Sequence, residues 1–549
     1  MAAEGEIEVR PRIDVLTWGA TQSVPAGVVQ VELPRELPAA ARAVEAHLEG
    51  DAGPWLLLWD PVLGPPPIEV AEALIAERTG DVWHAGPLLG LGDLPEEHDY
   101  IHPSHPFVLD PPRGAGGTCW RLSLAAALVR TDALRAVGGI DAGFHGTSGA
   151  GLELGRRLIE QGALVRSAPV LVAARGARVE ALDEHDRFLF LLRTFGAKWV
   201  RYAAARRAIA TRRPWRTLCG LRAAAVTHRG TPAAPAGLVE RAPVVAPDDP
   251  SITVVLPTLG RYELLRPLLE QLTTQTIAPL EVLVVDQNDP ERRDHDLYRS
   301  FEGRGVRVIW QTERGQWISR NEAVQQARGE WIAFIDDDSE IEPTFLAEHL
   351  EGIARYGAEL STGASLAVVG APVPENYAFY RVADQWDSGN GMCRRDLFAE
   401  MGLFDEQFDR QRRGDAEFGL RVQLAGGLVI HNPRATRVHL KADEGGLRSY
   451  GSWDGFRHKD RSGPLPVPSM LYYTARYHSP RQRREDLFLG LVNGMVPYHL
   501  KRRATPGQWA RFALVELVNL PSTRRRVRRS QSLARAMVAE GPRIPELRG

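Results

Sequence analysis

Residues 331–338 read WIAFIDDD: five apolar positions without a polar break, then three consecutive aspartates. A short apolar run rich in β-branched and aromatic side chains predicts a buried strand, and the aspartates mark its carboxyl end. Working outward, residues 319–328 have helical spacing, VRVIW (306–310) and LEVLVVD (280–286) are strand-like, and Leu264 to Leu272 is again helical. SITVVLPT (251–258) opens the series as a strand leaving through a proline. Strands alternating with helices predict an α/β fold with a doubly wound, mostly parallel sheet. In such sheets ligands bind beyond the carboxyl ends of the strands, where the acidic residues fall.

Asp336, Asp337 and Asp338 repel one another at a strand end, and burying them unpaired costs several kcal/mol, roughly. A divalent cation relieves that cost, and carboxylate ligands suit magnesium or manganese. The alternative is a solvated acidic turn. Asp286 ends the strand before QNDPE; it suits either a hydrogen bond to a base or ribose, or a turn-forming role. Arg320 and Asn321 lie near the start of a helix, where cation, amide and helix N-terminus all favour an anion; a surface ion pair with Glu322 or Glu313 is the plainer reading. Asp415 and Glu417, in RRGDAEFGLR, also open a helix. A carboxylate there can act as a general base or simply cap the helix. His439, after an apolar segment, is either a further metal ligand or a structural imidazole.

The chain repeats itself. An offset of 264 positions aligns Arg130 with Arg394, Asp141 with Asp405, Phe144 with Phe408, Glu153 with Glu417, Arg157 with Arg421 and Gly162 with Gly426. A duplicated domain is expected. The copies differ where chemistry would sit: WLLLWDPVLGPP keeps only Asp60, and Gly151 takes the place of Asp415. Glu417 persists as Glu153, which favours a structural role for it, whereas Asp415 does not persist. The first copy reads as a non-catalytic partner.

At 549 residues the chain exceeds one ordinary domain, and its 67 Lys plus Arg against 69 Asp plus Glu exclude a general nucleic-acid coat. Three separated cysteines build neither a disulfide framework nor a zinc site. The acidic MAAEGEIEVR start does not read as a signal peptide, and no apolar run spans a membrane. A cytoplasmic protein is expected. From residue 464 onward, apolar helical stretches alternate with Arg-rich ones. Two arrangements suit them: peripheral contact with the anionic inner face of the cell membrane, or a helical cap on the catalytic domain.

Between Ser251 and Arg448 the chain resembles the family 2 inverting glycosyltransferases of GT-A fold. The resemblance rests on VVLPTLGRYELLRPLLEQL, VVD, SRNEA, FIDDD, CRRDLFAEMGLFDEQF and GDAEFGLR, in that order. It implies that Pro257, Thr258 and Asp286 hold the nucleoside and that Arg320 and Asn321 line the nucleotide site. Asp336 and Asp338 would carry the metal–diphosphate contact, and Asp415 would be the catalytic base. The family often has Asp-Asp-Gly-Ser where this chain has Asp286-Gln287-Asn288-Asp289, and Glu-Asp where it has Gly414-Asp415. The expected organisation is a degenerate glycosyltransferase-like domain (1–175), a helical segment and linker (176–250), a catalytic domain (251–463) and a basic helical extension (464–549). The expected activity is metal-dependent transfer from a nucleotide sugar to an acceptor hydroxyl, on a glycan or lipid-linked acceptor in polysaccharide or glycoconjugate synthesis. Two rivals are a sugar-nucleotide-binding scaffold of a polysaccharide-assembly complex and a nucleotidyltransferase.

Overall fold

A computed structural model of the chain describes residues 11–548, apart from 20–23, 26, 90–93, 113, 173–180, 231–236, 246–247, 369–370, 441–445, 447–462, 497–499 and 501–504. The expectations for the first ten residues, for part of the linker and for Lys501–Arg503 therefore fall outside the described residues.

Sixteen described strands form two sheets. The first holds β1 (Ile13–Trp18), β2 (Gln30–Leu33), β3 (Trp55–Trp59), β4 (Val82–His84), β5 (Gly117–Thr118), β6 (Ala126–Arg130) and β7 (Val165–Ser167), in the order β2-β1-β3-β6-β4-β7-β5. The second holds β8 (Ile252–Thr258), β9 (Glu281–Asp286), β10 (Val306–Trp310), β11 (Trp331–Ile335), β12 (Ser339–Ile341), β13 (Leu360–Leu366), β14 (Arg381–Val382), β15 (Asn390–Arg394) and β16 (Val429–His439). Its order is β10-β9-β8-β11-β15-β13-β16-β12, with β14 also on β16. The run β10-β9-β8-β11 is parallel, as the alternation predicts. Beyond β11 the sheet is mixed, because β15 enters antiparallel to both β11 and β13.

The helices follow from their apolar faces. Tyr262–Leu272 buries Leu265, Leu268, Leu269 and Leu272 against the sheet, the i, i+3, i+4, i+7 stripe of a core-facing helix. Gln316–Gln326 and Gly414–Leu424 pack on the opposite side around Trp317, Phe404 and Phe418.

The two sheets match strand for strand. The series β2-β1-β3-β6-β4-β7-β5 has as its counterpart β9-β8-β11-β15-β13-β16-β14, with the same direction at each step. Register agrees too: Trp55 pairs with Arg130 as Trp331 pairs with Arg394. Arg157 binds Glu153 and the Val137 and Gly139 carbonyls. Arg421 binds Glu417 and the Met401 and Leu403 carbonyls, each 264 positions later. The halves meet around an approximate two-fold axis. Gly162 (φ +95°) sits against the Tyr380 carbonyl, and its counterpart Gly426 (φ +102°) sits against the Gly116 carbonyl. These are the reciprocal contacts of a symmetric interface, made within one chain.

The first half has no room for a side chain at the position 264 residues before Asp415. A Cβ at Gly151 would overlap the Leu122 carbonyl, so the position equivalent to Asp415 is closed by backbone. Asp60, the counterpart of Asp336, only caps the turn through the Val62 N–H at 3.0 Å.

The C-terminal region is helical, with helices Pro468–Tyr477, Pro480–Met495 and Pro506–Glu540. The cap arrangement holds for part of it. Tyr472 and Tyr473 enter the second half's core, Ser530, Ala534 and Met537 are buried, and the Leu403 N–H bonds the Pro545 carbonyl. The first turns of Pro506–Glu540 differ: Trp509, Leu514, Leu517 and Val518 are exposed. No described helix is long and apolar enough to cross a membrane.

Candidate active site

A cavity of about 640 Å³ opens at the carboxyl ends of β8 and β11. Pro257 and Thr258 line it from the end of β8, Asp336, Asp337 and Asp338 from the end of β11, and Arg320, Asp415 and His439 complete the lining. Of the nine residues to which the sequence gives a catalytic, nucleotide or metal role, seven thus line one space.

The three aspartates have different partners. Asp336 is bridged by Arg320 at 2.7 Å and Arg437 at 3.1 Å. Burial would raise its pKa, but Arg437 and then Arg320 outweigh it and hold the carboxyl well below the usual carboxylate range. Asp337 accepts from the Thr258 hydroxyl at 2.8 Å and pairs with Arg261 at 2.7 Å. Burial nevertheless pushes it up to about 6. Asp338 keeps a buried Oδ2 without a hydrogen-bond donor, 3.4 Å from both the His439 imidazole and Arg261. Pairing of Ser339 with His439 across β12 and β16 brings that imidazole to the acidic cluster. Asp338 and His439 offer oxygen and nitrogen ligands of the kind a divalent cation takes, whereas both Asp336 oxygens are engaged by Arg320 and Arg437. Among the described residues, the group of histidines and acids whose ligand atoms all lie within 4.8 Å of one another is His145, Asp183, His185 and Asp186 of the first half.

Asp415 lies in the first turn of Gly414–Leu424, partly buried. Its Oδ1 accepts the Ala416 N–H at 2.8 Å. Burial, and next the charge of Asp387, push it up to about 7 against the Ala416 N–H and Arg320. A carboxyl that titrates near neutrality at a cavity rim is poised for proton transfer. Glu417 is fully occupied by Arg421, Arg476 and Tyr477, the structural role its persistence implied. Gly414 departs from the family pattern for a steric reason: any Cβ there would overlap the indole of Trp317.

Two sequence candidates lie elsewhere. Asp286 is buried and does not line the cavity. The Tyr262 and Tyr298 hydroxyls occupy its Oδ2 at 2.6 and 2.7 Å, and Asn288 occupies Oδ1 through its backbone and side-chain N–H groups. Strand position alone could not reveal that two tyrosines converge on it. Asn321 points away from its neighbour Arg320, because adjacent helical residues do not share a face. Its amide binds the Phe404 backbone on both sides, at 3.0 and 2.9 Å, and so ties the helix to the loop before Gly414.

Three charged residues at the site were not singled out from the sequence: Arg261, Asp387 and Arg437. Arg437 is buried and joins Asp336, Asp387, Ser339 and Ser365. A signal existed for it, since period-two alternation puts Arg437 on the same face of β16 as His439. Asp387 had none; it lies in an irregular segment before β15.

Comparisons with known proteins bear on this geometry. Residues 253–386 match the family model "Glycosyl transferase family 2". The chain is 27% identical over 220 residues to the O-antigen biosynthesis protein RfbC of Myxococcus xanthus, covering 35% of this chain and 17% of that protein. It is 30% identical over 105 residues to the putative glycosyltransferase EpsH of Bacillus subtilis, covering 19% and 30%. It is 26% identical over 247 residues to the glucosyl-dolichyl phosphate glucuronosyltransferase of Haloferax volcanii, covering 40% and 78%. The chain thus spans less than a third of the length of the first two relatives. Among solved structures, S. aureus TarS 1-349 with UDP-GlcNAc is similar at 19% identity and a TM-score of 0.36, covering 52% of this chain and 81% of that one.

Proposed function

We propose, from the premise that residues 253–386 are a glycosyltransferase family 2 domain, that this chain is an inverting transferase. It moves a sugar from a nucleotide-sugar donor to a glycan or lipid-linked hydroxyl in cell-surface polysaccharide synthesis. The observation that carries the reading is that one cavity holds a near-neutral Asp415 together with the arginine-bridged Asp336. The relative named for O-antigen biosynthesis supports the polysaccharide class.

Asp415 takes the proton of the acceptor hydroxyl as its oxygen attacks the anomeric carbon. The bond from that carbon to the donor diphosphate breaks on the opposite face, and the diphosphate leaves with the electron pair. Attack opposite the leaving group inverts the anomeric centre. General-base help of this type contributes roughly 10²–10⁴-fold. Arg320 and Arg437 supply fixed positive charge where negative charge develops, in a site partly shielded from water. Asp338, His439 and Asp336 would hold magnesium or manganese, which when bound neutralises diphosphate oxygens. Pro257 and Thr258 line the nucleoside side of the cavity. Asp286 acts one step back, fixing Tyr262 and Asn288, whose amide oxygen accepts the Gly260 N–H beside that wall. The first half is read as a degenerate copy, shaped like the catalytic half but closed at the base position.

The testing experiment measures nucleoside-diphosphate release from a panel of nucleotide sugars with magnesium, manganese or chelator. Metal-dependent release from one donor is expected. Pyrophosphate as the product, or no nucleotide binding with any metal, would refute the reading.

The exposed Trp509, Leu514, Leu517 and Val518, followed by the exposed Arg524, Arg525, Arg528 and Arg529, support peripheral contact with an anionic bilayer. Flotation with phosphatidylglycerol vesicles is expected to carry the protein, and Leu517→Glu with Val518→Glu to abolish this. Equal flotation of that variant would dismiss the contact.

A further inference from the structure

A second cavity of about 400 Å³ adjoins the first and shares Ser365, Gln385 and Asp387 with it. Its lining is mixed: one aromatic ring, Tyr377, faces Asp384, Arg381, His431 and small residues of β13. Tyr377 is 37% exposed, so part of its ring is open to solvent. The His431 ring meets it edge-on at 5.0 Å, and the Tyr377 carbonyl bonds the His431 Nε2 at 3.0 Å. Burial pushes His431 down to about 4, so it stays neutral near pH 7. Arg381 pairs with His431 across β14 and β16, and its guanidinium lies 5.1 Å from the Tyr377 ring centroid. Its Nε is buried and has no hydrogen-bond partner. The nearest carboxylate, Asp384, is 4.0 Å from another guanidinium nitrogen. Arg381 lines this cavity, and a charged donor side chain at a cavity wall suits a polar ligand.

We propose that this second cavity is a glycan subsite that seats a pyranose unit of the acceptor, and that the first half of the chain holds its wall in place. The inference rests on the transferase reading. An aromatic ring beside hydrogen-bonding charged side chains suits a sugar ring. The C–H face carries slight positive charge and packs on the negative π-face of Tyr377, while hydroxyls satisfy Arg381, Asp384 and Asp387. Asp387 stands where the two cavities join and raises Asp415, so a sugar seated here leads its next hydroxyl toward the base.

The wall segment is held from the first half. Gly162 abuts the Tyr380 carbonyl, Val239 bonds the Gln161 carbonyl, and the Tyr380 ring packs at 5.2 Å on Tyr356 of the second half, both against the first half's apolar cluster. Arg355 binds the Arg241 carbonyl beside them. The degenerate half thereby acquires a physical role, since it fixes β14 and hence the direction of Arg381.

The test uses the full chain, saturation-transfer NMR with methyl pyranosides of glucose, galactose, mannose and N-acetylglucosamine, and calorimetry with UDP and GDP in manganese. Wild type is expected to bind at least one glycoside. Tyr377→Ala should weaken that binding about 10-fold, as the loss of one aromatic stacking contact predicts, while Tyr377→Phe retains it. Nucleotide affinity should stay within about twofold in both variants, since Tyr377 does not line the first cavity. Nucleotide binding without any glycoside binding, or glycoside binding indifferent to Tyr377→Ala, overturns the subsite and leaves the transferase reading standing. Failure to bind either ligand overturns both.

Discussion

Asp415→Asn is expected to lower kcat by about 10²–10⁴-fold, because asparagine keeps the shape of the side chain but takes no proton. Nucleotide affinity should change little, since the Asp415 carboxyl is assigned to the acceptor hydroxyl and not to the nucleotide. The wild-type rate should fall about tenfold per pH unit below about 7, where Asp415 holds its proton, and level off above it. Asp387→Asn should move that limb to lower pH, because the Asp387 charge is the second cause of the shift. Stability supplies an opposite readout. The folded-state pKa of Asp415 lies above its unfolded value, so the native state binds the proton more tightly. The wild type is therefore penalised as pH rises toward and through about 7. Asn lacks that penalty, and the variant should be more stable than wild type at pH 8, by on the order of 1 kcal/mol. A retained kcat, or a pH limb unmoved by either substitution, would remove Asp415 from the role of base.

Asp338→Ala is expected to abolish metal-dependent nucleotide binding and to cut turnover by about 10²-fold or more. The buried Oδ2 of this aspartate makes only 3.4 Å approaches to Arg261 and His439, and Arg261 keeps its 2.7 Å pair with Asp337, so the removal leaves no strong charge unpaired. Calorimetry with a nucleoside diphosphate, with and without manganese, separates the cases: chelator should bring wild type to the level of the variant. Indifference of wild type to chelator would exclude the cation from this site. Asp336 is a poorer probe. Its removal would take the carboxylate from the buried guanidinium of Arg320 and leave Arg437 with Asp387 alone, and breaking a buried pair costs about 3–5 kcal/mol. Loss of activity in an Asp336 variant would then mix chemistry with unfolding.

The same contrast separates what could be read along the chain from what could not. The apolar runs of β8, β9 and β11 and the stripe of Tyr262–Leu272 are local patterns, and periodicity alone determined them. The acids at the end of β11, the pair Asp415 and Glu417, and their opposite fates in the two halves followed from residue type and the 264-residue offset. Tertiary structure decided who meets whom. Asp286 looked like a ligand-binding strand end, yet Tyr262, Tyr298 and Asn288 consume its oxygens, because three segments fold onto one carboxylate. Arg437 reaches Asp336 from about a hundred residues away, through the placement of β16 beside β13 and β12. The antiparallel entry of β15 beside β11 brings in the segment carrying Asp387. A strand's periodicity fixes which face a side chain takes, but its neighbours are set by the burial of whole faces against one another. The counter-charges of this site, and hence the ionisation of its acids, therefore exist only in the folded chain.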